Sequence, residues 1–272
     1  MTPGAAQIPT RTTAYGPASV AGHRAVPVEA PVAIEINGIA YAVMMATPCD
    51  LEDFVTGFVL SEGLAEAGEI GPVQLHPVAP GGVVARVNLP AGRAAPLMER
   101  ARRRLGDSSC GLCGIESVEA ALRPLAHLPA PSTITPAAIR AALLAMRAGQ
   151  ALGRATAASH AAGFARADGT LVVVREDVGR HNALDKVIGA LARAGEAAGE
   201  GFLLVTSRCS YELVEKAVRA GCPLLVAISA PTDLAVARAA AAGLALAVVA
   251  RDDTMDWVSG PAMSDKEMAH GL

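Results

Sequence analysis

The sequence predicts an α/β protein in which helices cover both faces of a sheet, preceded by a smaller α+β part. Three observations support this prediction. Apolar runs of strand length alternate with segments of helical period after residue 131. Two hairpin patterns and an amphipathic helix occupy residues 31–130. With 272 residues, 52% of them hydrophobic but only 3% aromatic, the chain can bury a core built mainly from small and aliphatic side chains.

Composition and periodicity divide the chain into four parts. Residues 1–30 contain Pro, Gly, Thr and Ala without an apolar period, which predicts a flexible leader. Residues 31–130 are assigned to the α+β part, which includes a loop with a cysteine pair. A proline-rich stretch then leads into the α/β domain, assigned to residues 131–256 and expected to bind the ligand. Residues 257–272 are predicted to be a flexible tail.

The α+β part is predicted to contain two hairpins and two helices. Asn37-Gly38 is a favoured two-residue turn between strand-like runs. Asp50 is expected to cap the first helix, because apolar residues recur at helical spacing after it. The predicted elements are strands 32–36 and 39–45, a helix from 51 to about 63, strands 73–78 and 83–89, and a helix over 95–104.

The α/β domain is predicted to alternate strands with helices. Thr135 followed by Pro136 is a typical helix start, and Asp168-Gly169 is a turn between two strands. The predicted elements are helix 136–146, strands 161–167 and 170–174, helix 182–194, strand 202–206, helix 211–220, strand 223–229, helix 233–242 and strand 244–250.

The cysteine pair Cys110-Gly-Leu-Cys113 is the first candidate for chemistry. Thiolates are nucleophiles, and glycines let backbone N–H groups approach the sulfur, so this loop could carry sulfur as a persulfide. The spacing also fits half of a zinc site, a dithiol redox centre or a chemically idle pair. Cys49, Cys209 and Cys222 form no second close pair, so no protein-held metal is predicted, and the latter two are expected to pack as apolar residues. No His-x-Glu or Cys-x-Glu sequence is present, which argues against zinc deaminase chemistry.

Three polar turns follow predicted strands of the α/β domain, at residues 175–186, 206–212 and 229–232. Strand ends converge at one edge of such a sheet, and turns that open a helix present backbone N–H groups, so together they suit a nucleotide-like ligand. They could equally be surface turns that cap the next helices. His160 could likewise be a hydrogen-bonded core histidine. The candidate ligand contacts are His160, Arg180, His181, Lys186, Arg208 and Ser210.

Charge and hydropathy restrict the surroundings of the protein. The net charge of −3 and a pI near 6.1 give no overall attraction to nucleic acid. No apolar run reaches the roughly 18–20 residues that span a membrane, and no signal-peptide pattern is present. Five scattered cysteines fit a reducing compartment, so the protein is expected to be cytoplasmic.

In combination, six segments resemble the formate dehydrogenase accessory sulfurtransferase family, FdhD. The cysteine pair alone would not be specific, but the segments follow the order of the family over residues 32–250. They are Thr47-Pro-Cys-Asp-Leu-Glu-Asp-Phe through Ser61-Glu-Gly, Cys110-Gly-Leu-Cys-Gly, Ser159-His-Ala-Ala, Glu176-Asp-Val-Gly-Arg-His-Asn-Ala-Leu-Asp-Lys, Ser207-Arg-Cys-Ser-Tyr-Glu and Ser229-Ala-Pro-Thr.

The resemblance implies a cytidine-deaminase-like fold without the deaminase metal, and a role in sulfur transfer. A cysteine desulfurase would load sulfur onto Cys110 as a persulfide, with Cys113 assisting. The sulfur would pass to the molybdenum bis(molybdopterin guanine dinucleotide) cofactor, bound as a substrate, before formate dehydrogenase uses that cofactor. A homodimer is also possible. Two alternatives stay open, a molybdenum-cofactor chaperone without chemistry of its own and a dithiol oxidoreductase.

The resemblance also implies a cofactor contact just after the last predicted strand. The family tends to have glycine and basic residues there, whereas this chain has two consecutive aspartates. Because carboxylates repel phosphate, the turns at Arg180 and Arg208 are expected to make the stronger contacts. The segment comprises Val249, Ala250, Arg251, Asp252, Asp253 and Thr254.

Overall fold

Two β-sheets with separate apolar cores form the framework of the protein. The computed structural model describes residues 2–13, 19–93, 124–129 and 134–260. Within them the strands are β1 Ala5–Thr13, β2 Ser19–Pro27, β3 Ala30–Ile36, β4 Ile39–Ala46, β5 Gln74–Val78, β6 Gly82–Val87, β7 His160–Arg166, β8 Leu171–Asp177, β9 Gly201–Val205, β10 Leu224–Ala227, β11 Ala245–Val248 and β12 Asp256–Ser259. The helices are α1 Leu51–Ser61, α2 Pro136–Gly149, α3 Ala151–Thr156, α4 Arg180–Ala194, α5 Tyr211–Arg219 and α6 Asp233–Ala242.

The larger sheet has six strands in the order β12-β11-β10-β9-β7-β8, with β9, β10 and β11 parallel. Alternate residues of each strand enter different cores. Leu203 and Val205 pack with α4, α5 and α6 on one face, whereas Phe202 and Leu204 pack with α2 on the other. This three-layer arrangement confirms the predicted α/β fold class.

The smaller sheet has four strands in the order β4-β3-β6-β5, and α1 covers one face. Asn37 and Gly38 have φ of 52° and 77°, so the predicted two-residue turn is confirmed between β3 and β4. Phe54 and Phe58 of α1 are buried against the sheet, and Phe58 meets Tyr41 edge-to-face at 6.0 Å. This layer is the predicted α+β part.

Helices α1 and α4 join the two sheets through glycines. A Cβ atom at Gly57 would lie 1.7 Å from the backbone oxygen of Asp185, and one at Gly189 would lie 1.8 Å from the backbone oxygen of Asp53. No side chain fits into either space, so the helix backbones touch directly. This contact fixes the smaller sheet against the larger one.

Several elements differ from the sequence predictions. The predicted flexible leader contains the hairpin β1–β2, paired from Ala5 with Pro27 onward. Much of this ribbon is exposed, which explains why it carries no apolar period. β12 extends into the predicted tail, and α3 was not predicted. The helix predicted over 95–104 lies outside the described residues.

Asp50 does not cap α1 as predicted. Its φ of 53° is left-handed, and its side chain makes no hydrogen bond to the helix. The Thr135 cap is confirmed, since its side chain accepts a hydrogen bond from the backbone N–H of Ala138. In the described part of the chain no helix combines the length and the hydropathy needed to cross a bilayer.

Candidate functional site

The predicted polar turns lie together at one edge of the larger sheet. Thr206, after β9, donates its backbone N–H to Ala161 at the start of β7, at 3.0 Å. Cys209 N–H donates to Ala230 O after β10, at 3.1 Å, and Val249 N–H donates to Ser229 O, at 3.3 Å. The turns after β9 and β10 are thus hydrogen-bonded to each other, and His181, in the turn after β8, faces Glu212, in the turn after β9, at 3.8 Å. The predicted convergence at the strand ends is therefore present.

Three cationic or imidazole side chains gather where β7 begins and α4 begins. His160 is half-buried, and burial lowers its pKa. The nearby positive charges of Arg180 and His181 lower that pKa further, while Asp177 acts in the opposite direction. The structure therefore brings His160, Arg180 and His181 together, as the ligand-contact reading requires.

Glu212, in the first turn of α5, is a member of this site that sequence reasoning did not identify. Its Oε2 lies 3.8 Å from His181 Nε2, an ion-pair distance longer than a hydrogen bond. Burial raises the pKa of the Glu212 carboxyl, but the side chains of His181 and Ser210 outweigh burial and lower the pKa to about 2. Glu212 is therefore ionised beside the imidazole at neutral pH.

Three buried polar atoms of the site make no hydrogen bond of normal length within the described part of the protein, although His181 and Ser210 interact with the Glu212 carboxylate. They are Arg180 Nε, His181 Nε2 and Ser210 Oγ, on two adjacent turns. A buried polar atom without a partner costs roughly 1–3 kcal/mol, so most such atoms are paired. The donor groups of Arg180 and Ser210 suit an anionic, oxygen-rich ligand.

The predicted cofactor segment after β11 is a tight turn held to its surroundings. Arg251 N–H donates to Thr254 O at 2.7 Å, and the Arg251 guanidinium donates to the backbone oxygens of Ala250 and Ile228. Val249 has φ of 50°, which a β-branched residue rarely adopts. The segment lies at the site edge, but its arginine is engaged with backbone.

Asp252, an expected source of repulsion for phosphate, is paired with α2. Its carboxylate lies 2.9 Å from the Arg147 guanidinium, and Arg140 Nε donates to its backbone oxygen at 2.6 Å. The hydrogen bond from Arg147 and its positive charge lower the pKa of Asp252 despite burial acting the other way. Because Asp252 is paired with Arg147, its carboxylate repels a nearby anion less than an unpaired carboxylate would. Arg208, which follows β9, is exposed at the same edge of the larger sheet.

Lys186 is not available to a ligand, contrary to the sequence interpretation. Lys186 Nζ lies 2.7 Å from Asp177 Oδ2, with both side chains completely buried. Nζ also donates to Thr47 O at 3.0 Å. Asp177 accepts from Thr47 N–H at 3.0 Å and from Asn182 Nδ2 at 2.9 Å. We name these four residues, Thr47, Asp177, Asn182 and Lys186, the polar hub; it ties the smaller sheet to the turn that carries Arg180 and His181.

A second buried ion pair joins α1, α4 and α5. Lys216 Nζ lies 2.9 Å from Asp185 Oδ1, and Ser61 Oγ donates to the same oxygen at 2.6 Å. Burial raises the pKa of Asp185, although Lys216 and Ser61 oppose that effect. Ser61 and Asp185 occur in the segments that carry the family resemblance, so part of that signature serves packing between the smaller and the larger sheet.

The cysteines of the described chain differ in burial. Cys209 and Cys222 are buried, and burial raises the pKa of each to about 12, which confirms that they pack as apolar residues. Cys49 is partly exposed, and burial raises its pKa as well. Cys110 and Cys113 lie outside the described residues. Among the residues that the structure describes, no group of three or more His, Cys, Asp and Glu side chains could hold a metal ion.

Comparisons with known proteins agree on one family. A sequence model of the FdhD/NarQ family matches residues 27–264. The sulfur carrier protein FdhD of Xanthomonas campestris pv. campestris (strain B100) is 49% identical over 247 residues, covering 89% of this chain and 86% of the relative. The sulfur carrier protein FdhD of Variovorax paradoxus (strain S110) is 46% identical over 234 residues, covering 85% and 83%.

A solved structure is also similar. The crystal structure of a candidate formate dehydrogenase accessory protein from Desulfotalea psychrophila superposes with a TM-score of 0.76 at 25% sequence identity. The superposition covers 96% of this chain and 99% of that one. The similarity therefore includes both sheets.

Proposed function

Because this chain belongs to the FdhD/NarQ family, we propose that it is a sulfur carrier for formate dehydrogenase maturation. It accepts persulfide sulfur from a cysteine desulfurase at Cys110. It then transfers that sulfur to the molybdenum bis(molybdopterin guanine dinucleotide) cofactor, which is bound as a substrate. The names of its relatives support the sulfur-carrier role.

The observation that carries the acceptor half of the proposal is the group of unpaired polar atoms at the sheet edge. Arg180 Nε and Ser210 Oγ are buried without a hydrogen-bond partner in the described residues, and the His181 ring follows Arg180 on the same turn. The pyrophosphate of a guanine dinucleotide supplies oxygens for such donors. The edge position, at the ends of parallel strands, is where nucleotides bind in α/β sheets. His160, Arg208 and the 249–254 segment border the same place.

The proposed chemistry at the cysteine pair balances in three steps. The Cys110 thiolate attacks the outer sulfur of the desulfurase persulfide, and the desulfurase cysteine leaves as a thiolate. For delivery as sulfide, the Cys113 thiolate attacks the inner sulfur of the Cys110 persulfide. A Cys110–Cys113 disulfide forms, and the outer sulfur leaves as hydrosulfide with the bonding electron pair. A thiol reductant then restores both cysteines.

Mass spectrometry tests the loading step. The full chain is incubated with a cysteine desulfurase and L-cysteine, and we expect one added sulfur atom on the peptide that contains Cys110. Cys110→Ala should abolish that addition, whereas Cys49→Ala, a control at a partly exposed cysteine, should not. Equal loading of the Cys110→Ala protein would refute the proposed carrier residue.

Formate dehydrogenase activity in cells separates the sulfur carrier from the two alternatives. A cofactor chaperone without chemistry would still support the dehydrogenase after Cys110→Ala, whereas a sulfur carrier would not. A dithiol oxidoreductase would cycle a Cys110–Cys113 disulfide against small disulfide substrates without any desulfurase. Binding of guanosine diphosphate, weakened by Arg180→Gln, tests the acceptor site independently of the cysteines.

A further inference from the structure

The carboxylate of Glu212 is unexpected in a site for an anionic ligand. Arg180, His160 and Arg208 supply cationic or imidazole groups there, and a negative charge among them opposes the binding of phosphate. The Glu212 side chain is 22% exposed and is ionised, since its pKa lies at about 2. Its presence therefore needs a role that outweighs the repulsion.

The geometry points to such a role. His181 Nε2 is buried and lies 3.8 Å from Glu212 Oε2, so the carboxylate faces that nitrogen of the ring. By charge attraction a carboxylate that faces one imidazole nitrogen favours one rotation of the ring and so directs the other nitrogen, a longer-range counterpart of the hydrogen-bonded pairs in metal sites and catalytic triads. For His181 that other nitrogen is Nδ1. Glu212 and His181 start successive helices, α5 and α4, so the pairing also aligns the two turns.

We propose that Glu212 is a positioning residue of the acceptor site: it holds His181 as an imidazolium with Nε2–H toward the carboxylate, so that Nδ1–H donates to an oxygen of the cofactor's pyrophosphate. The inference rests on the proposed function, because it takes the guanine dinucleotide as the ligand. It adds a residue that acts through His181 and does not itself contact the ligand.

Two roles for Glu212 predict opposite results. If the carboxylate acted only by its charge, Glu212→Gln would strengthen the binding of an anion. If it positions His181, the same variant weakens binding, because the ring is released. A Glu215→Gln control on the same helix removes one negative charge from a carboxylate paired with Arg238 on α6. That control should leave nucleotide affinity unchanged.

A double-mutant cycle on guanosine diphosphate affinity tests the inference. Titration calorimetry on the full chain should show about tenfold weaker binding for Glu212→Gln, the scale of coupling between groups in contact. In a His181→Asn background the Glu212 substitution should change affinity by less than about twofold, because its partner has gone. Thermal unfolding of each variant establishes that it is folded.

Three outcomes would overturn the inference. Stronger binding by Glu212→Gln would assign a charge effect, and equal losses in both backgrounds would show that Glu212 does not act through His181. If Glu212→Gln proves unfolded, Glu212→Asp takes its place in the cycle with the same expected coupling to His181. Failure of the unsubstituted chain to bind guanosine diphosphate would contradict the proposed acceptor site and the inference with it. If the unsubstituted chain binds guanosine diphosphate but Glu212 and His181 show no coupling, only the inference about Glu212 is contradicted.

Discussion

Lys186 and Asp177 form an ion pair of 2.7 Å in which both side chains are completely removed from solvent. Both groups make further hydrogen bonds, to the hub residues Thr47 and Asn182 and to the backbone of Glu176 and Gly179. A charge buried in this way is stable only while its partner is present. Because Thr47, directly after β4, bonds to both groups, the turn that carries Arg180 and His181 depends on the smaller sheet.

Replacement of Lys186 by Met should destabilise the protein by roughly 3–5 kcal/mol, because it leaves the Asp177 charge buried without its partner. The free energy of unfolding in urea measures the loss. The double variant Asp177→Asn with Lys186→Met should recover part of it, since no buried charge remains. Glu196→Gln, which breaks the exposed pair with Arg166, should cost about 1 kcal/mol or less. A similarly small cost for Lys186→Met would show that the Lys186–Asp177 ion pair is not buried in solution.

Replacement of Gly57 by Ala should separate α1 from α4. Its Cβ would lie 1.7 Å from Asp185 O, a backbone atom that cannot move aside without moving α4. We expect destabilisation of about 3 kcal/mol or more, at the upper end for an overpacked core. Gly68→Ala is the control, since nothing lies within 4 Å of its added Cβ. Equal melting temperatures for the two variants would argue against close helix contact.

His160 should make stability depend on pH. Burial and the neighbouring charges lower its folded pKa below the ordinary value. The unfolded chain then takes up the proton first as the pH falls, so stability is present above about pH 6.5 and decreases below it. His160→Gln should reduce the loss in unfolding free energy between about pH 7.5 and about pH 5.

The control for His160 is His76→Gln, at an exposed histidine on β5. That variant should lose as much stability on acidification as the unsubstituted protein. If His160→Gln and His76→Gln give the same loss, the folded state does not disfavour protonation of His160.

Cys209 and Cys222 should resist alkylation in the folded protein. Burial holds the pKa of each at about 12, so the reactive thiolate is scarce near about pH 8. Peptide mass spectrometry after treatment with iodoacetamide should find both unmodified, and denaturation in urea should expose both. Rapid native labelling of either would show that its burial is not maintained in solution.

The strands and helices with a buried face could be predicted from the sequence, because burial of one face gives apolar residues a regular spacing along the chain. Asn37 and Gly38 identified a turn, and the apolar run around Leu204 identified a strand covered on both faces. The β1–β2 hairpin could not be predicted in this way, because much of the ribbon is exposed and no apolar period results. Asp50 has the residue type of a cap but a left-handed backbone that only the fold reveals.

The positions of several site residues could also be predicted from the sequence, because these residues follow predicted strands. Arg180, His181 and Ser210 follow strands, so their convergence follows from the sheet topology. Lys186 belongs to the same polar stretch, yet its partner Thr47 is 139 positions earlier. No local pattern shows whether such a lysine contacts a ligand or is buried as a structural partner. Glu212 was missed because its relation to His181 exists only between two helices in space.

The glycine contact between α1 and α4 also bears on how such a chain can be divided. Fragments cut at the proline-rich stretch would each expose a bare backbone groove, and the carboxyl-terminal fragment would lose the Thr47 and Ser61 partners of its buried charges. Exchange of one half between homologues would require glycine at both positions 57 and 189, because a side chain at either position would clash with the backbone of the facing helix. A recombination breakpoint at that stretch would thus place the two contacting helices, α1 and α4, in segments from different parents.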